Sequence, residues 1–542
     1  MIETWQNQFS REFGGMPAGR YRIFTLLAFC AFASIAAPAE RPRHVVLVVW
    51  DGMRPDFVTE KYAPTLNKLA ADGIRFRNHH SVYPTLTDVN GAALATGVYP
   101  DHNGLIANLA FNAGINPRRP VDSGDPDTVK RGDEISGGKY LALPTIAELI
   151  RNAGKKVVVA GSKAVAMLFD RHNDWTVAFT RDKQLTIFAA APMPEGLREK
   201  TTGLLGPFLS DPNATAAQRN TYVTRALTEV LWRDGLPDFS LLWLSEPDLS
   251  QHNHSPGSPQ AIAAIKAVDE NLALVLSALD KKQVRDSTDI FVVSDHGFST
   301  IKRSIDVVEL LNRAGFHAGK EFSDSPKSGD ILACGNGGSV VFYVRDHDQA
   351  VVKRLVELLE QSDFAGIVFA GQGTGAFPLA QGHIDVANPP DVVMSFRWYD
   401  DRNQFGVPGL IDADWNRKAG EGTHATLSPY DVHNTLIGAG PHLRRGFEDD
   451  LPTGNVDLAP TILHLLGVEV QSQLQGRELA EAYAENEPTR SVSQEKVEST
   501  MRVIRNTQRG PALKILSVHD SDYIDRADRD GSKTPRNEPL PP

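Results

Sequence analysis

Cysteine is nearly absent: Cys30 and Cys334 are the only two in 542 residues, so no disulfide framework carries this fold. Aromatic residues make up only 8%. Positive charge is in the minority, with 56 Lys and Arg against 67 Asp and Glu and a net charge of −11. A chain that acidic has no global electrostatic reason to hold a nucleic-acid backbone, so nucleic-acid binding is not expected. The apolar stretch at residues 21–37 is short for a membrane span. What remains is 41% hydrophobic and 23% charged, with 44 Gly and 34 Pro, an ordinary globular composition that excludes disorder, collagen and coiled coil. At roughly 150 residues per domain the length corresponds to about three to four domain equivalents, which suits one elaborated core with insertions as well as a string of units.

Residues 21–37 read YRIFTLLAFCAFASIAA, follow Arg20 and lead into Ala37-Pro38-Ala39, the small-x-small pattern of a signal-peptidase site. The expectation is a signal peptide over residues 1–39, cleaved after Ala39. The product would be exported, periplasmic or secreted, and without a stable membrane span. Met16 opens a more ordinary signal than Met1 does. Phe29, where a lipoprotein signal needs a small residue, argues against lipidation of Cys30. Cleavage leaves Cys334 without a partner, so stability must come from core and metal, and any metal site must use His and Asp.

Residues 44–50 form a continuous apolar run ending at Asp51-Gly52, the pattern of a strand buried on both faces of an α/β sheet. A helical pattern follows over 63–72. The unit recurs at 144–153, with Ile146, Leu149, Ile150 and Ala153 on one face, a stop at Gly154 and a buried strand at 157–160. Further strands are expected at 239–244, 289–293, 340–344, 391–396 and 436–439, and helices at 216–231, 259–279, 349–360 and 456–466. This alternation predicts an α/β fold with a mostly parallel sheet covered on both faces. Residues 110–139, rich in Gly, Pro and Asp, read as a long loop. Residues 301–420 carry their own strands and helix and read as an inserted cap within a catalytic region 40–484. The extension 485–542 reads as polar and partly disordered, with residues 513–518 as an edge strand before a Pro-rich end.

Polar clusters fall just after the buried strands. Asp51 follows the first, Asp248 and His252 follow 239–244, Asp295-His296-Gly297 follows 289–293, and His424 precedes another strand. Spacing of four places Asp248 and His252 on one face of a turn. Three Asp and three His form the oxygen and imidazole mix suited to zinc and similar divalent ions, and six protein ligands suit two ions rather than one. Thr87, in Tyr83-Pro-Thr-Leu-Thr87-Asp-Val-Asn90, falls at the start of a short helix, where a metal can deprotonate its hydroxyl and the amides favour a phosphoryl anion. Taken singly, the bland alternatives are a turn at Asp51-Gly52, core histidines and an N-cap threonine.

In this order the clusters resemble the alkaline phosphatase superfamily, specifically its type I phosphodiesterase/nucleotide pyrophosphatase branch. The resemblance runs from Val45 to about Leu479 through Trp50-Asp51-Gly52, Pro84-Thr-Leu-Thr87, Ala95-Thr-Gly-Val-Tyr-Pro-Asp-His-Asn-Gly-Leu-Ile-Ala-Asn108, Glu246-Pro-Asp248 with His252, Ser294-Asp-His-Gly297, Gly422-Thr-His424 and the Asn455-Val-Asp457 segment. It implies a three-layer α/β/α core. It also implies one zinc on Asp51, Thr87, Asp295 and His296, and a second on Asp248, His252 and His424. Thr87 would be the nucleophile, passing through a phosphothreonine, and Asn108 would donate to a nonbridging phosphoryl oxygen. The substrate would be a small phosphate ester or nucleotide. Manganese or iron also suits Asp/His sites.

Departures from the branch concern substrate more than metal. Asp88-Val89-Asn90-Gly91 stands where an aromatic, Pro and Asn-His usually follow the nucleophile, Gln251 replaces the Gly before His252, and Ala425 the Gly after His424. Lys163, in Ser162-Lys163-Ala164-Val165, supplies half of the Lys-x-Arg or Lys-x-Lys pattern of phosphomonoesterases and phosphonate hydrolases in the superfamily; its bland reading is a solvent-facing lysine. Arg54 and His254 are further candidates for substrate contact, or for a supporting or surface role. Thr87 disfavours a sulfatase, which needs a Cys or Ser. The rivals are a phosphomonoesterase or phosphonate hydrolase on the same site and, from another class, a catalytically silent zinc-binding protein that recognises phosphorylated ligands. Oligomeric state is not legible.

Overall fold

The computed structural model describes residues 43–171, 176–179, 185–188, 197–206, 214–469, 474–484, 498–505 and 510–529. The expected export segment and the Pro-rich end beyond 529 lie outside them. No helix among the described residues is long and apolar enough to cross a membrane.

Strand His44–Trp50 is the centre from which the fold is built. It pairs in parallel with Thr288–Val293 on one side and Phe239–Leu244 on the other, and all seven of its residues are buried. Alternation decides which side chain goes where. Val45, Leu47 and Val49 enter one core and Val46, Val48 and Trp50 the other. The full sheet has nine strands, in the order Phe447–Asp449, Ile74–Phe76, Leu436–Ala439, Thr288–Val293, His44–Trp50, Phe239–Leu244, Val157–Gly161, Thr176–Phe179, Leu185–Phe188. Its middle is parallel, and antiparallel pairing enters with Leu436–Ala439 and Leu185–Phe188.

Helices cover both faces, as the strand–helix alternation predicts. Pro64–Asp72, Ala216–Arg225 and Pro259–Lys281 pack on one side through Leu66, Val223, Ile265 and Leu272. Thr87–Thr96, Ile146–Asn152 and Leu458–Leu465 pack on the other through Val89, Ile150 and Ile462. Local chemistry sets several starts: Thr145 with Glu148 and Thr215 with Gln218 form capping boxes, and Ser258 caps a helix that opens on Pro259.

Residues 301–420 contribute a second, six-stranded sheet in the order Ala318–Gly319, Ile331–Gly335, Ser339–Val344, Val392–Phe396, Ala365–Ala370, Phe377–Pro378. Helices Val307–Arg313 and Gln349–Gln361 cover one face around Phe342, Leu355 and Met394. Cys334, Val341 and Phe369, on the opposite face, join the principal core.

Two expectations are corrected. Residues 110–139 are not loop throughout, because Pro126–Ser136 is a helix capped by the Asp125 carboxylate, which accepts from the amides of Asp127 and Thr128. An N-cap followed by Pro at the first helical position is a start signal that the surrounding Gly and Asp obscured. Residues 513–518 are not an edge strand: Ala512–Val518 is the middle of an antiparallel sheet with Ser499–Arg505 and Ser521–Asp528. Leu513, Ile515 and Ile524 bury against the principal core, which compensates for the polar sequence around them.

Candidate active site

The carboxyl ends of the central strands deliver the site. Gly52, at φ 72°, turns the chain sharply out of strand His44–Trp50 and leaves Asp51 fully buried at the strand end. Asp248 and His252 lie on the short helix Asp248–His254, one turn apart, with His252 Nε2 3.2 Å from Asp248 Oδ1. That helix packs tightly on the segment carrying His424, where a β-carbon on Gly422 would stand 2.4 Å from the Gln251 carbonyl oxygen. Asp295 and His296 follow strand Thr288–Val293.

The three histidines are oriented alike. Nδ1 of His252 pairs with the Gly422 carbonyl at 2.9 Å, that of His296 with the Gly297 carbonyl at 2.9 Å, and that of His424 with the Thr85 carbonyl at 2.6 Å. A carbonyl only accepts, so each ring donates from Nδ1 and keeps the Nε2 lone pair free. Those lone pairs meet carboxylate oxygens. His424 Nε2 is 3.6 Å from Asp248 Oδ1, and His296 Nε2 is 3.2 Å from Asp295 Oδ2 and 3.7 Å from Asp51 Oδ1.

Asp51 Oδ1, Asp248 Oδ1 and Asp295 Oδ2 are buried without a hydrogen-bond partner. Their sister oxygens are committed: Asp51 Oδ2 to Trp243 Nε1 at 2.8 Å and Lys163 Nζ at 3.0 Å, Asp248 Oδ2 to Lys163 Nζ at 2.9 Å, and Asp295 Oδ1 to the amides of Gly52 and His296, each at 3.0 Å. Acceptors therefore face acceptors across a buried space, an arrangement that a cation resolves and that otherwise carries a desolvation penalty. The donor set and these orphaned oxygens fit divalent metal.

The electrostatics agree. Burial, reinforced by neighbouring Asp295, pushes the Asp51 carboxyl well above its ordinary range, and burial pushes Asp295 up to about 7. Burial raises the Asp248 carboxyl, but His252 when protonated and the Lys163 ammonium outweigh it and hold the group well below its ordinary value. Burial drives His296 and His424 toward the neutral, ligating form.

Thr87 is the first residue of helix Thr87–Thr96, whose cap position is Leu86 with no side-chain cap bond. Its hydroxyl is therefore not an N-cap. Oγ1 lies 3.2 Å from His296 Nε2 and 3.2 Å from Lys163 Nζ. Asn108 accepts at Oδ1 from the Asp88 amide at 2.9 Å, which anchors it to the first turn of that helix and leaves its Nδ2 outside that bond. Lys163 is not solvent-facing, since its ammonium bridges Asp51, Asp248 and Thr87. Arg54 is buried and engaged with Asp56 and with the carbonyls of Phe298 and Pro408, a supporting position, and His254 is exposed at the helix end.

Three supporting residues escaped the sequence reading. Trp243, penultimate in its strand, holds Asp51 by its indole nitrogen. Asn455 donates to the Asp295 carbonyl at 2.7 Å and to Asn90 Oδ1 at 2.8 Å, tying the third carboxylate segment to the Thr87 helix. Asp122 stands near Asp88, where it joins burial in raising that carboxyl well above its ordinary value. Asn455 lies inside a motif that the sequence displays, whereas Trp243 reads simply as core.

Comparison with protein-family models matches residues 45–380 to "Type I phosphodiesterase / nucleotide pyrophosphatase". Venom phosphodiesterase CdcPDE of Crotalus durissus collilineatus is 24% identical over 274 residues, 49% of this chain and 27% of that protein. The match thus spans only about a quarter of the length of that venom enzyme. Ectonucleotide pyrophosphatase/phosphodiesterase family member 7 of Homo sapiens is 22% identical over 448 residues, 82% of this chain and 84% of that protein. Among solved structures, murine ectonucleotide pyrophosphatase/phosphodiesterase 5 superposes with a TM-score of 0.55 at 16% identity, covering 82% of this chain and 100% of that one. An inactive form of the murine enzyme in complex with AMP gives 0.53 at 16% identity, covering 80% and 96%. These structures share the alkaline-phosphatase-like α/β fold with its largely parallel sheet. With the family match extending over more than half of its length, the chain belongs to the type I phosphodiesterase/nucleotide pyrophosphatase family.

Proposed function

We propose that the protein is an exported, metal-dependent phosphoric ester hydrolase that holds two zinc ions and cleaves phosphodiester or nucleotide pyrophosphate bonds through a phosphothreonine on Thr87. One observation carries this reading: three orphaned carboxylate oxygens lie among three imidazole Nε2 lone pairs, and the Nε2 of His296 stands 3.2 Å from the Thr87 hydroxyl. Asp51, Thr87, Asp295 and His296 would hold one ion, and Asp248, His252 and His424 the other. When bound, such a pair stabilises the attacking and leaving oxygens of an in-line displacement.

The chain's own groups supply the rest. Lys163 donates toward Thr87 Oγ1 and favours its alkoxide over its hydroxyl. Thr87 gives its hydroxyl proton to solvent water, the oxygen attacks phosphorus, the bond from phosphorus to the leaving oxygen breaks, and that oxygen takes a proton back from water, so that no net proton is gained or lost. The first-turn amides of the Thr87 helix and the Asn108 side-chain amide suit the nonbridging oxygens. Water cleaves the phosphothreonine, releasing the phosphoryl product and restoring Thr87. A cavity of about 670 Å³, lined by Ile106, Phe111, Tyr140, Phe322, Tyr343 and Val386, opens between the 104–140 and 322–389 segments. Its aromatic lining suits the organic part of a small ester or nucleotide, and a structural neighbour is described in complex with AMP. In this reading 301–420 acts as a cap and 485–542 as an extension of a catalytic region 40–484.

Lys163 favours one second reading, a phosphomonoesterase or phosphonate hydrolase, because its ammonium adds positive charge that a dianion uses better than a monoanion. The test is side-by-side turnover of an aryl phosphodiester, a matched monoester and a phosphonate, with and without chelator. Diester turnover lost on chelation supports the proposal. Turnover indifferent to chelation, or a monoester preference that disappears with Lys163→Ala, overturns it.

A further inference from the structure

A second group of metal-ligating side chains lies outside the candidate active site and shares no residue with it. His80 stands on the two-residue strand His79–His80, His433 directly follows the short helix Pro429–Val432, and Asp525 lies on strand Ser521–Asp528 of the C-terminal sheet. His80 and His433 face each other across an isolated antiparallel bridge, with ring centroids 4.6 Å apart. His433 Nε2 is 3.0 Å from Asp525 Oδ1, and His80 Nε2 is 3.7 Å from the same oxygen. The three potential ligand atoms all lie within 4.8 Å of one another. Ligands at about 2.0–2.1 Å from a tetrahedral zinc stand roughly 3.4 Å apart, so a small adjustment would close the set.

His80 is what distinguishes this group from an ordinary hydrogen-bonded pair. It is 1% exposed, and its Nδ1 pairs with the Thr453 carbonyl at 2.9 Å, so that nitrogen carries the proton. Its Nε2 is then a lone pair, buried, without a hydrogen-bond partner and aimed at a carboxylate that also offers only lone pairs. This acceptor-to-acceptor contact is the same signature found at the three orphaned carboxylates of the active site. The surroundings do not relieve it. Both ring nitrogens of His79 are engaged, with Thr453 and Asn455, Tyr523 stacks on His80 while its hydroxyl serves Asp457, and Arg526 lies 3.7 Å from Asp525 Oδ2, the other oxygen.

We propose that His80, His433 and Asp525 form an additional divalent-metal site, structural and zinc-type, that fastens the C-terminal sheet to the core. Two of its ligands lie in the core and one in the C-terminal sheet, so binding would link residues hundreds of positions apart, and a water would complete a four-coordinate shell. None of the three residues belongs to the hydrolytic machinery, and the proposal does not depend on the hydrolase reading.

The test is the metal content of the full chain after zinc loading and dialysis, for wild type, His80→Ala, His433→Gln and Asp525→Asn. Cobalt spectra and chelator-dependent melting would be recorded on the same samples. Expected is one zinc equivalent fewer in each variant than in wild type, loss of one tetrahedral cobalt band, and diester hydrolysis within about twofold of wild type. Asp525→Asn is near-isosteric and keeps a carbonyl oxygen facing His433, so it separates metal loss from misfolding. Equal zinc content in wild type and Asp525→Asn, with unchanged cobalt spectra, overturns the proposal and leaves a His433–Asp525 hydrogen bond alone. If His252→Ala and His424→Ala remove equivalents while these variants do not, the active-site reading stands and this one fails.

Discussion

The ammonium of Lys163 lies 3.2 Å from Thr87 Oγ1, and in the same position it touches Asp51 at 3.0 Å and Asp248 at 2.9 Å. Two of the three buried carboxylates and the proposed nucleophile are therefore linked through one cation. Lys163→Ala is expected to lower kcat/KM for an aryl phosphodiester by about 2–4 kcal/mol of transition-state stabilisation, the range for a lost charge-stabilising donor. A monoester, with its additional negative charge, should lose more. Steady-state kinetics on matched substrates decide it, and unchanged rates on both remove Lys163 from the chemistry.

Asn108 is held to the Thr87 helix by accepting from the Asp88 amide. Asn108→Ala should lower the diester rate by about 2–4 kcal/mol with zinc content unchanged. Asn108→Asp keeps the acceptor but turns the free amide into an anion, so it should be slower still. An Asp variant as fast as wild type would show that the Asn108 amide never meets the phosphoryl oxygens.

Trp243 holds Asp51 Oδ2 through its indole nitrogen at 2.8 Å, the kind of outer contact that orients a ligating carboxylate. Trp243→Phe should weaken zinc affinity by about 10–100-fold, the usual effect of losing such a partner. Competition with a calibrated chelator measures this directly. Equal affinity would mean that Lys163 alone fixes Asp51.

Asp457 ties the motif segment to the C-terminal sheet by accepting from Gly454 N, Arg477 N and the Tyr523 hydroxyl, each at 2.8 Å. Burial nevertheless pushes its carboxyl up to about 6. The unfolded value is about 3.9, so between roughly pH 4 and 6 the folded chain keeps a proton that the unfolded chain releases. This group's contribution is therefore fully present below about pH 4 and lost as pH rises through about 6, by at most about 3 kcal/mol. Denaturant unfolding at pH 4.5 and 6.5 should show that slope in wild type and a shallower one in Asp457→Asn. Identical slopes would contradict it.

Much of the central sheet was legible because strands buried on both faces appear as unbroken apolar runs. Residues 44–50, 239–244 and 436–439 are strands over those same bounds. Helix Pro126–Ser136 was hidden because only Thr128, Val129 and Gly132 of it are buried, too few for an apolar period. The C-terminal sheet was hidden because every residue of Ser499–Arg505 except Ile504 is exposed, so pairing rather than pattern forms it. At the site, residue types after strands pointed to metal chemistry, and the side chains do come together. The reach of Lys163 and the indole contact of Trp243 depend on how a loop and a neighbouring strand are placed in space, which spacing along the chain does not encode.

The most direct measurement of the central claim is hydrolysis of an aryl phosphodiester by zinc-loaded wild type and Thr87→Ala, with metal content determined on the same samples and a chelator-treated control. Expected are turnover by wild type, its loss on chelation, and its loss in Thr87→Ala, with most of the bound zinc retained because six other ligands remain. A Thr87→Ala protein that holds zinc and turns over the diester near the native rate would contradict it.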